Sequence, residues 1–315
     1  MHLNAKNAQP NPLHALVDDA QRALGFVDHG TTDNPRRTPK PAVVSGTIDL
    51  AALIADGNPV GNGVHAVTQR PAGETLYLDP RALIESHSVV AQAGARIIIA
   101  HPRDRAIAVN GDRLDGLVGF FEDPQLVRNV EPAQFATLAD GSDATALSLP
   151  FHDQIFVWPS VPTAAYRTTI TRAQNRQVGG GESLRSALLD AILRGVAEYA
   201  DKLLLAAVAA STPAAFTFAL AAAKHLQEPD LRAITNGAGA GYRGDGVFSV
   251  QGVPAMLSAQ TAGAYIGAFG TAAVAVWPEL SVHVRRMSVN GDLDVTCLVN
   301  AQAVVPDTSK FWSAS

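Results

Sequence analysis

Residues 183–211 read SLRSALLDAILRGVAEYADKLLLAAVAAS, the longest coherent element in the sequence. Leu184, Leu188, Ile192, Val196, Tyr199, Leu203 and Val208 recur at helical spacing and form one apolar stripe, while Arg185, Arg194, Glu198 and Lys202 lie away from it. With Gly179, Gly180 and Gly181 as a hinge ahead of it, the pattern predicts one unbroken helix over residues 182–210. At 1.5 Å per residue that helix is roughly 40 Å long. Such a length suits a strut across a flat subunit better than a compact enzyme domain.

Toward the C-terminus, Ser211, Thr212 and Pro213 read as the cap and first turn of a second helix over residues 213–227. From Gly237 the chain turns glycine-rich and then strand-like. Residues 280–288 and 293–305 flank Val289-Asn290-Gly291-Asp292, and Asn-Gly is the preferred pair for a two-residue type I′ turn. That turn places Val284 opposite Cys297, Val282 opposite Val299 and Leu280 opposite Ala301 on one apolar face. Ser281, His283 and Arg285 then project from the other face.

Toward the N-terminus, the spacing of Leu13, Leu16, Val17, Ala20 and Leu24 behind Asn11-Pro12 predicts a short amphipathic helix. Residues 28–41 (DHGTTDNPRRTPKP) carry almost nothing apolar and read as an extended arm that needs a partner surface to become ordered. A further helix is expected from Asp79-Pro80 to about Ala93, followed by a buried strand over residues 95–100 (ARIIIA). Residues 101–176 look mainly β, with a turn at Asn110-Gly111.

Composition narrows the function classes. A hydrophobic content of 47% fills a real core and excludes a disordered chain, and charged residues are 17% against roughly 25% in an average soluble protein. The shortfall suggests surface that meets other protein. A net charge of −5 offers no electrostatic attraction for nucleic acid or an anionic bilayer. Residues 1–12 hold no apolar run of the signal-peptide kind, so secretion by that route is not expected. Two uncharged stretches, 203–223 and 246–278, are broken by proline and polar residues and read as buried or interfacial protein rather than membrane spans.

Catalytic and ligand motifs fail on context. Gly239-Ala240-Gly241-Tyr242-Arg243-Gly244 matches the dinucleotide fingerprint by letter, yet residues 247–253 read as a strand where a helix is required, and no acid lies between Asp245 and Glu279. The predicted register puts Cys297 and His283 on opposite faces, so they cannot share a proton, and Cys297 reads as a buried small hydrophobe. The nine histidines show no metal-ligand spacing, no Gly-x-Ser-x-Gly elbow occurs, and acid pairs such as Asp18-Asp19 and Glu122-Asp123 read as solvated faces or turns. No catalytic residue, metal or cofactor is expected. Arg36, Arg37 and Lys40 form the one local basic cluster; it either docks to an acidic neighbour or packaged nucleic acid, or only keeps the arm soluble.

The order of these features resembles tailed-bacteriophage major capsid proteins of the Hong Kong 97 type. The resemblance rests on the extended arm, the β-rich middle and the long helix ending in Ala200-Asp201-Lys202-Leu203-Leu204. It rests also on GVFSVQGVPAMLSAQ (residues 246–260) with Gly252, Pro254 and Ser258 in matching places, and on LSVHVRRMSVNGDLDVTCLVNAQAVVPDTSKFW (residues 280–312) as a closing strand pair and apolar anchor. The family's glycine pair after the spine helix is replaced here by Ser211-Thr212-Pro213.

The resemblance implies an α+β fold with N-terminal arm, β-rich extended loop, long spine helix and C-terminal β-hairpin. It divides the chain into an N-terminal helix and extended arm (1–41), a peripheral domain with the extended loop and spine helix (42–212), an axial domain (213–279) and a C-terminal hairpin returning to the peripheral domain (280–315). It implies a non-enzymatic shell subunit that assembles with itself into hexamers and pentamers in the host cytoplasm. The icosahedral virion capsid would enclose motor-packaged double-stranded DNA without reading its sequence. Separate scaffold and portal proteins are implied, a decoration protein is an optional partner, and no membrane is involved. Arg36, Arg37, Lys40, Asn110, Gly111, Arg194 and Glu198 are the expected self-assembly residues. The alternatives are an encapsulin-type compartment around an enzyme cargo and a soluble enzyme with a dispersed active site.

Overall fold

The computed structural model describes residues 12–22, 25–29, 36–40, 43–49, 80–99, 104–106, 120–122, 125–138, 140, 143, 145–156, 163–176, 180–244, 246–287 and 291–314. In chain order its elements are α1 (Pro12–Arg22), β1 (Gly25–His29), β2 (Arg36–Lys40), β3 (Val43–Asp49), α2 (Pro80–His87), α3 (Val89–Gln92), β4 (Arg96–Ile99), β5 (Asp104–Ala106), β6 (Phe120–Glu122), β7 (Gln125–Val130), β8 (Phe151–Phe156) and β9 (Thr163–Ile170). There follow α4 (Arg172–Asn175), α5 (Gly180–Ala210), α6 (Phe218–Ala223), β10 (Arg232–Thr235), β11 (Ala240–Tyr242), β12 (Phe248–Val250), β13 (Val253–Leu257), β14 (Ala264–Gly267), β15 (Ala273–Val276), β16 (Glu279–Arg286), β17 (Leu293–Val304) and β18 (Phe311–Ser313). The architecture is α+β. The chain forms two compact units, one of residues 1–88, 162–200 and 276–301, the other of residues 89–161, 201–275 and 302–315.

In the first unit β16 lies between β3 and β17, and β9 pairs with β17, all antiparallel. Strand alternation buries Leu280, Val282 and Val284 of β16 with Leu293, Val295 and Cys297 of β17 and Ile48 of β3. Helix α1 covers β3 with Leu13, Val17 and Ala20 buried, and it approaches so closely that a Cβ at Gly46 would collide with the Leu16 side chain.

In the second unit a six-stranded sheet runs β11-β12-β13-β10-β14-β18, parallel only between β10 and β13. Phe216, Leu231, Ala233, Val250, Val253, Ile266 and Trp312 fill its core. The last strand is held by side-chain shape: Gly267 leaves room for the Phe311 ring, and Trp312 meets Phe216 edge to face at 5.8 Å.

The long helix α5 has 31 residues and begins at Gly180, so it takes in two of the three hinge glycines. Its most deeply buried residues include Leu193, Ala197, Ala200, Leu204 and Val208, a stripe turned by about one position from the one expected on larger side chains. Ala197 and Ala200 are fully buried, so the buried stripe follows small residues as well as large ones. Arg185 is 7% exposed, not solvated, because its guanidinium reaches Asp18 on α1 at 2.7 Å. Asp18 is thus an ion-pair partner rather than part of a bare acidic face.

Four other expectations change. Residues 213–227 hold only the six-residue α6, capped by Thr217. The backbone before it pairs with β18 instead: Ser313 donates its N–H to Ala214 O, and Phe216 donates to Ser313 O. The helix expected over 79–93 breaks at buried Ser88 into α2 and α3. The arm is not simply extended, since β1 and β2 pair antiparallel with Arg37 opposite Asp28 and Arg36 opposite His29. The C-terminal hairpin pairs Val282 with Cys297 and Val284 with Val295, two residues from the expected register. Its strands stop at Arg286 and Leu293, and Met287 N–H donates to Asp292 O across a longer loop. A slip of two leaves every side chain on its expected face.

Candidate assembly surfaces

The segment between β7 and β8 is the most conspicuous surface of the second unit. The two strands pair in register from Gln125 opposite Phe156 to Val130 opposite Phe151, and Glu131 N–H donates to Pro150 O to close the root. Beyond that bond the chain makes an excursion over residues 131–150 in which no described residue belongs to a helix or strand, and every described residue from 132 to 149 is exposed. Phe135 is 97% exposed, Leu149 72% and Leu147 64%. An apolar ring left wholly in water forgoes about 1.5–3 kcal/mol that burial would return.

The root of this excursion is built from charge. Glu131 accepts from the ammonium of Lys310 at 2.6 Å, Asp307 lies 3.9 Å from the same nitrogen, and His152 Nε2 lies 3.7 Å from Glu131 and 3.9 Å from Asp307. The Lys310 and Asp307 side chains are only 6% and 8% exposed. The hydrogen bond from Lys310 holds the Glu131 carboxyl below its ordinary range, with the charges of Lys310 and His152 adding to it. For Asp307, burial works upward, but hydrogen bonds from Ser309 and the charges of His152 and Lys310 outweigh it, leaving it low. Two residues along β8 from His152, Gln154 Oε1 accepts the Val305 N–H at 2.5 Å. On the other side of the ribbon Arg128 grips Asp153 with two bonds, at 2.7 and 2.8 Å, and lies over the Phe151 ring.

Glu131, His152 and Asp307 offer ligand atoms within 4.8 Å of one another, the spacing a small cation would use. Lys310 already supplies the cation. Adding a divalent ion to two carboxylates and a buried ammonium leaves excess positive charge, so the donor set fits a lysine-centred ion network better than a metal centre.

Arg194 lies within the first unit, where its guanidinium donates to Asp190 at 3.0 Å and reaches His87 Nδ1 at 3.3 Å. Glu198 is exposed, its carboxylate 3.9 Å from His87 Nε2. Arg36, Arg37 and Lys40 all lie on β2, and Asn110 and Gly111 lie outside the described residues. The Glu131–Lys310 network joins segments far apart in sequence, and no residue spacing signals it.

Cys297 is buried, and desolvation pushes its thiol up to about 11, the opposite of an activated nucleophile. His283, whose Nδ1 meets Ser45 Oγ at 2.8 Å, lies on the other face of the sheet. The glycines of the fingerprint-like stretch belong to the hairpin β11–β12, with no helix after them. Among the described residues no helix is long and apolar enough to cross a membrane.

No family model and no curated protein matches the chain. Among solved structures it is similar to the capsid of a native GTA particle, at 10% identity and a TM-score of 0.44 over 79% of this chain and 93% of that one. It is also similar to a structure from Gordonia phage Cozz (12% identity, TM-score 0.39, 72% of this chain and 85% of that one). A third likeness is to a structure from Mycobacterium phage Cain (8% identity, TM-score 0.35, 72% of this chain and 90% of that one).

Proposed function

We propose that this chain is a structural shell subunit, a major capsid protein that assembles with copies of itself into an icosahedral particle around double-stranded DNA. The observation that carries the reading is the exposed excursion of residues 131–150, with Phe135, Leu147 and Leu149 in solvent at its surface and a charged network securing its root. A chain that fixes the base of a segment while leaving its apolar side chains bare has built a contact for another molecule. The low overall charge makes copies of the same subunit the fitting cover.

In this reading the arm of residues 28–41 and the excursion reach over adjacent subunits, and α5 and the β16–β17 hairpin keep each subunit stiff. The axial domain of residues 213–279 gathers into hexamers and pentamers. Closed symmetry multiplies contacts that are individually modest. Arg36, Arg37, Lys40, Asn110, Gly111 and Glu198 serve assembly, and Arg194 serves it indirectly by fixing His87. With a net charge of −5 the lumen does not condense DNA, so a motor must drive the genome in through a portal. A separate scaffold guides assembly in the host cytoplasm, and the subunit performs no catalysis.

Size-exclusion chromatography with negative-stain microscopy tests the reading. Shells or capsomers are expected, with nuclease-protected DNA inside particles recovered from infected cells. A discrete monomer or dimer under every assembly condition overturns it, and a co-purifying enzyme cargo in place of DNA reassigns the shell to a compartment.

A further inference from the structure

We propose that Lys310, Glu131, Asp307 and His152 form a charge latch that ties the root of the excursion to residues 305–310, and that protonating its carboxylates opens it. The consequence for assembly rests on the shell reading above; the latch itself is a property of the second unit.

Three attachments join the ribbon to the segment after β17, at positions 131, 152 and 154 on one side and 305, 307 and 310 on the other. Two are ionic, and they meet at Lys310, whose ammonium is nearly excluded from water and has Glu131 at 2.6 Å and Asp307 at 3.9 Å. Two carboxylates against one ammonium leave a single excess negative charge when His152 is neutral and none when it is protonated.

Strong acid removes both negative charges and leaves the buried ammonium of Lys310 without the two anions it faces at 2.6 and 3.9 Å. The attraction that closed the root is lost. The other charged pair on the ribbon, Arg128 with Asp153, is satisfied within the β7–β8 pair and holds nothing on residues 305–310. Both latch carboxyls are held low, so their contribution is complete above the ordinary carboxylate range and is lost as pH falls through the folded values. The excursion can therefore be released while the six-stranded sheet stays intact.

Hydrogen exchange on the full chain tests this at one near-neutral pH. The amides of Glu131 and Val305 are the reporters, and strand Arg232–Thr235 is the internal control. Lys310→Gln and Glu131→Lys are each expected to speed exchange at both reporters by about tenfold or more, the scale of one lost charged hydrogen bond, with the control unchanged. Combining Glu131→Lys with Lys310→Glu is expected to restore protection to within about threefold of the parent by rebuilding the pair with its charges exchanged. If the control strand also loses protection in Lys310→Gln, Glu131→Gln replaces it as the test. Unchanged reporter exchange in the single variants, or a swap that fails to restore, overturns the latch. So does zinc chloride slowing reporter exchange in the parent, which would make the cluster a metal site. In an acid series corrected for intrinsic exchange, the reporters must open before the control strand; simultaneous loss sinks the acid release. Microscopy of the same samples scores the shell reading separately, since a parent chain that never assembles defeats that reading and leaves the latch result standing.

Discussion

The buried carboxylate of Asp201 accepts the backbone N–H of Val90 at 3.0 Å through Oδ1, and through Oδ2 it accepts that of Val89 at 2.9 Å. Asp201 lies on α5, so a residue more than a hundred positions away caps the four-residue helix α3. The first N–H groups of a helix have no partner within it, and Asp201 supplies acceptors for two of those of α3. Asp201→Ala strips both acceptors and is expected to lower the unfolding free energy by about 2–4 kcal/mol. Asp201→Asn keeps one oxygen and should lose less. Urea denaturation reads both, and a loss below about 0.5 kcal/mol for the alanine variant would show that another group takes over the amides.

A two-residue turn with both backbone angles positive occurs at Gln251-Gly252. Val250 pairs with Val253 across it, with φ of 48° at Gln251 and 82° at Gly252. Positive angles at both central positions define the type I′ turn, for which asparagine is the better first residue. Gln251→Asn should raise the melting temperature slightly. A Cβ at position 252 would lie in ordinary contact with the Phe218 ring, so Gly252→Ala has space and suffers from the backbone alone, by about 1–2 kcal/mol. Equal stability of the two variants would contradict the turn assignment.

The same turn shows which parts of the fold are legible in the sequence. The helical stripe of α5, the apolar alternation of β16 and β17 and the opening helix follow from side-chain periodicity, a local property written into consecutive residues. What misleads is competition from distant partners. Ser211-Thr212-Pro213 has good helix-starting chemistry, yet β18 captures the following backbone. Asn290-Gly291 has good turn chemistry, yet the strand pair closes on a longer loop in which the Asp292 carboxylate accepts the N–H of Arg172. Arg185 reads as lying away from the apolar stripe, and its burial follows only once Asp18 is brought against it. The excursion's root is least legible of all, because Glu131, His152, Asp307 and Lys310 become neighbours only in the folded second unit.

Asp294 supplies a pH signature for the first unit. Arg167 donates to both of its oxygens, with Nε at 3.0 Å from each and Nη2 at 2.7 Å from one, and these hydrogen bonds hold the carboxyl below its ordinary range. A carboxyl lowered by folding contributes above its unfolded value, and that contribution is lost as pH falls through the folded one. Asp294→Asn should therefore flatten the acid side of the stability profile while leaving its neutral slope unchanged. Thermal unfolding followed between pH 3 and 7 checks this. Arg167 is largely exposed, so added salt should weaken the effect in the parent chain. An identical acid limb in parent and variant would remove Asp294 from the account.

Phe135, Leu147 and Leu149 separate folding from assembly. Within one subunit their side chains meet water, so replacing them with serine withdraws little burial from the monomer. Phe135→Ser and Leu149→Ser should leave subunit stability within about 0.5 kcal/mol, as for other surface positions. In a shell those residues are covered by a neighbour, and each replacement then forfeits about 1.5–3 kcal/mol per contact. Because every subunit presents the same residue, the loss repeats at each copy, and the concentration needed for assembly should rise by about tenfold or more for Phe135→Ser. Sedimentation of assembly reactions over a range of protein concentrations measures that threshold, and denaturation of the unassembled subunit provides the control. Unchanged assembly with unchanged stability would mean that the excursion meets solvent in the finished particle as it does in the single chain.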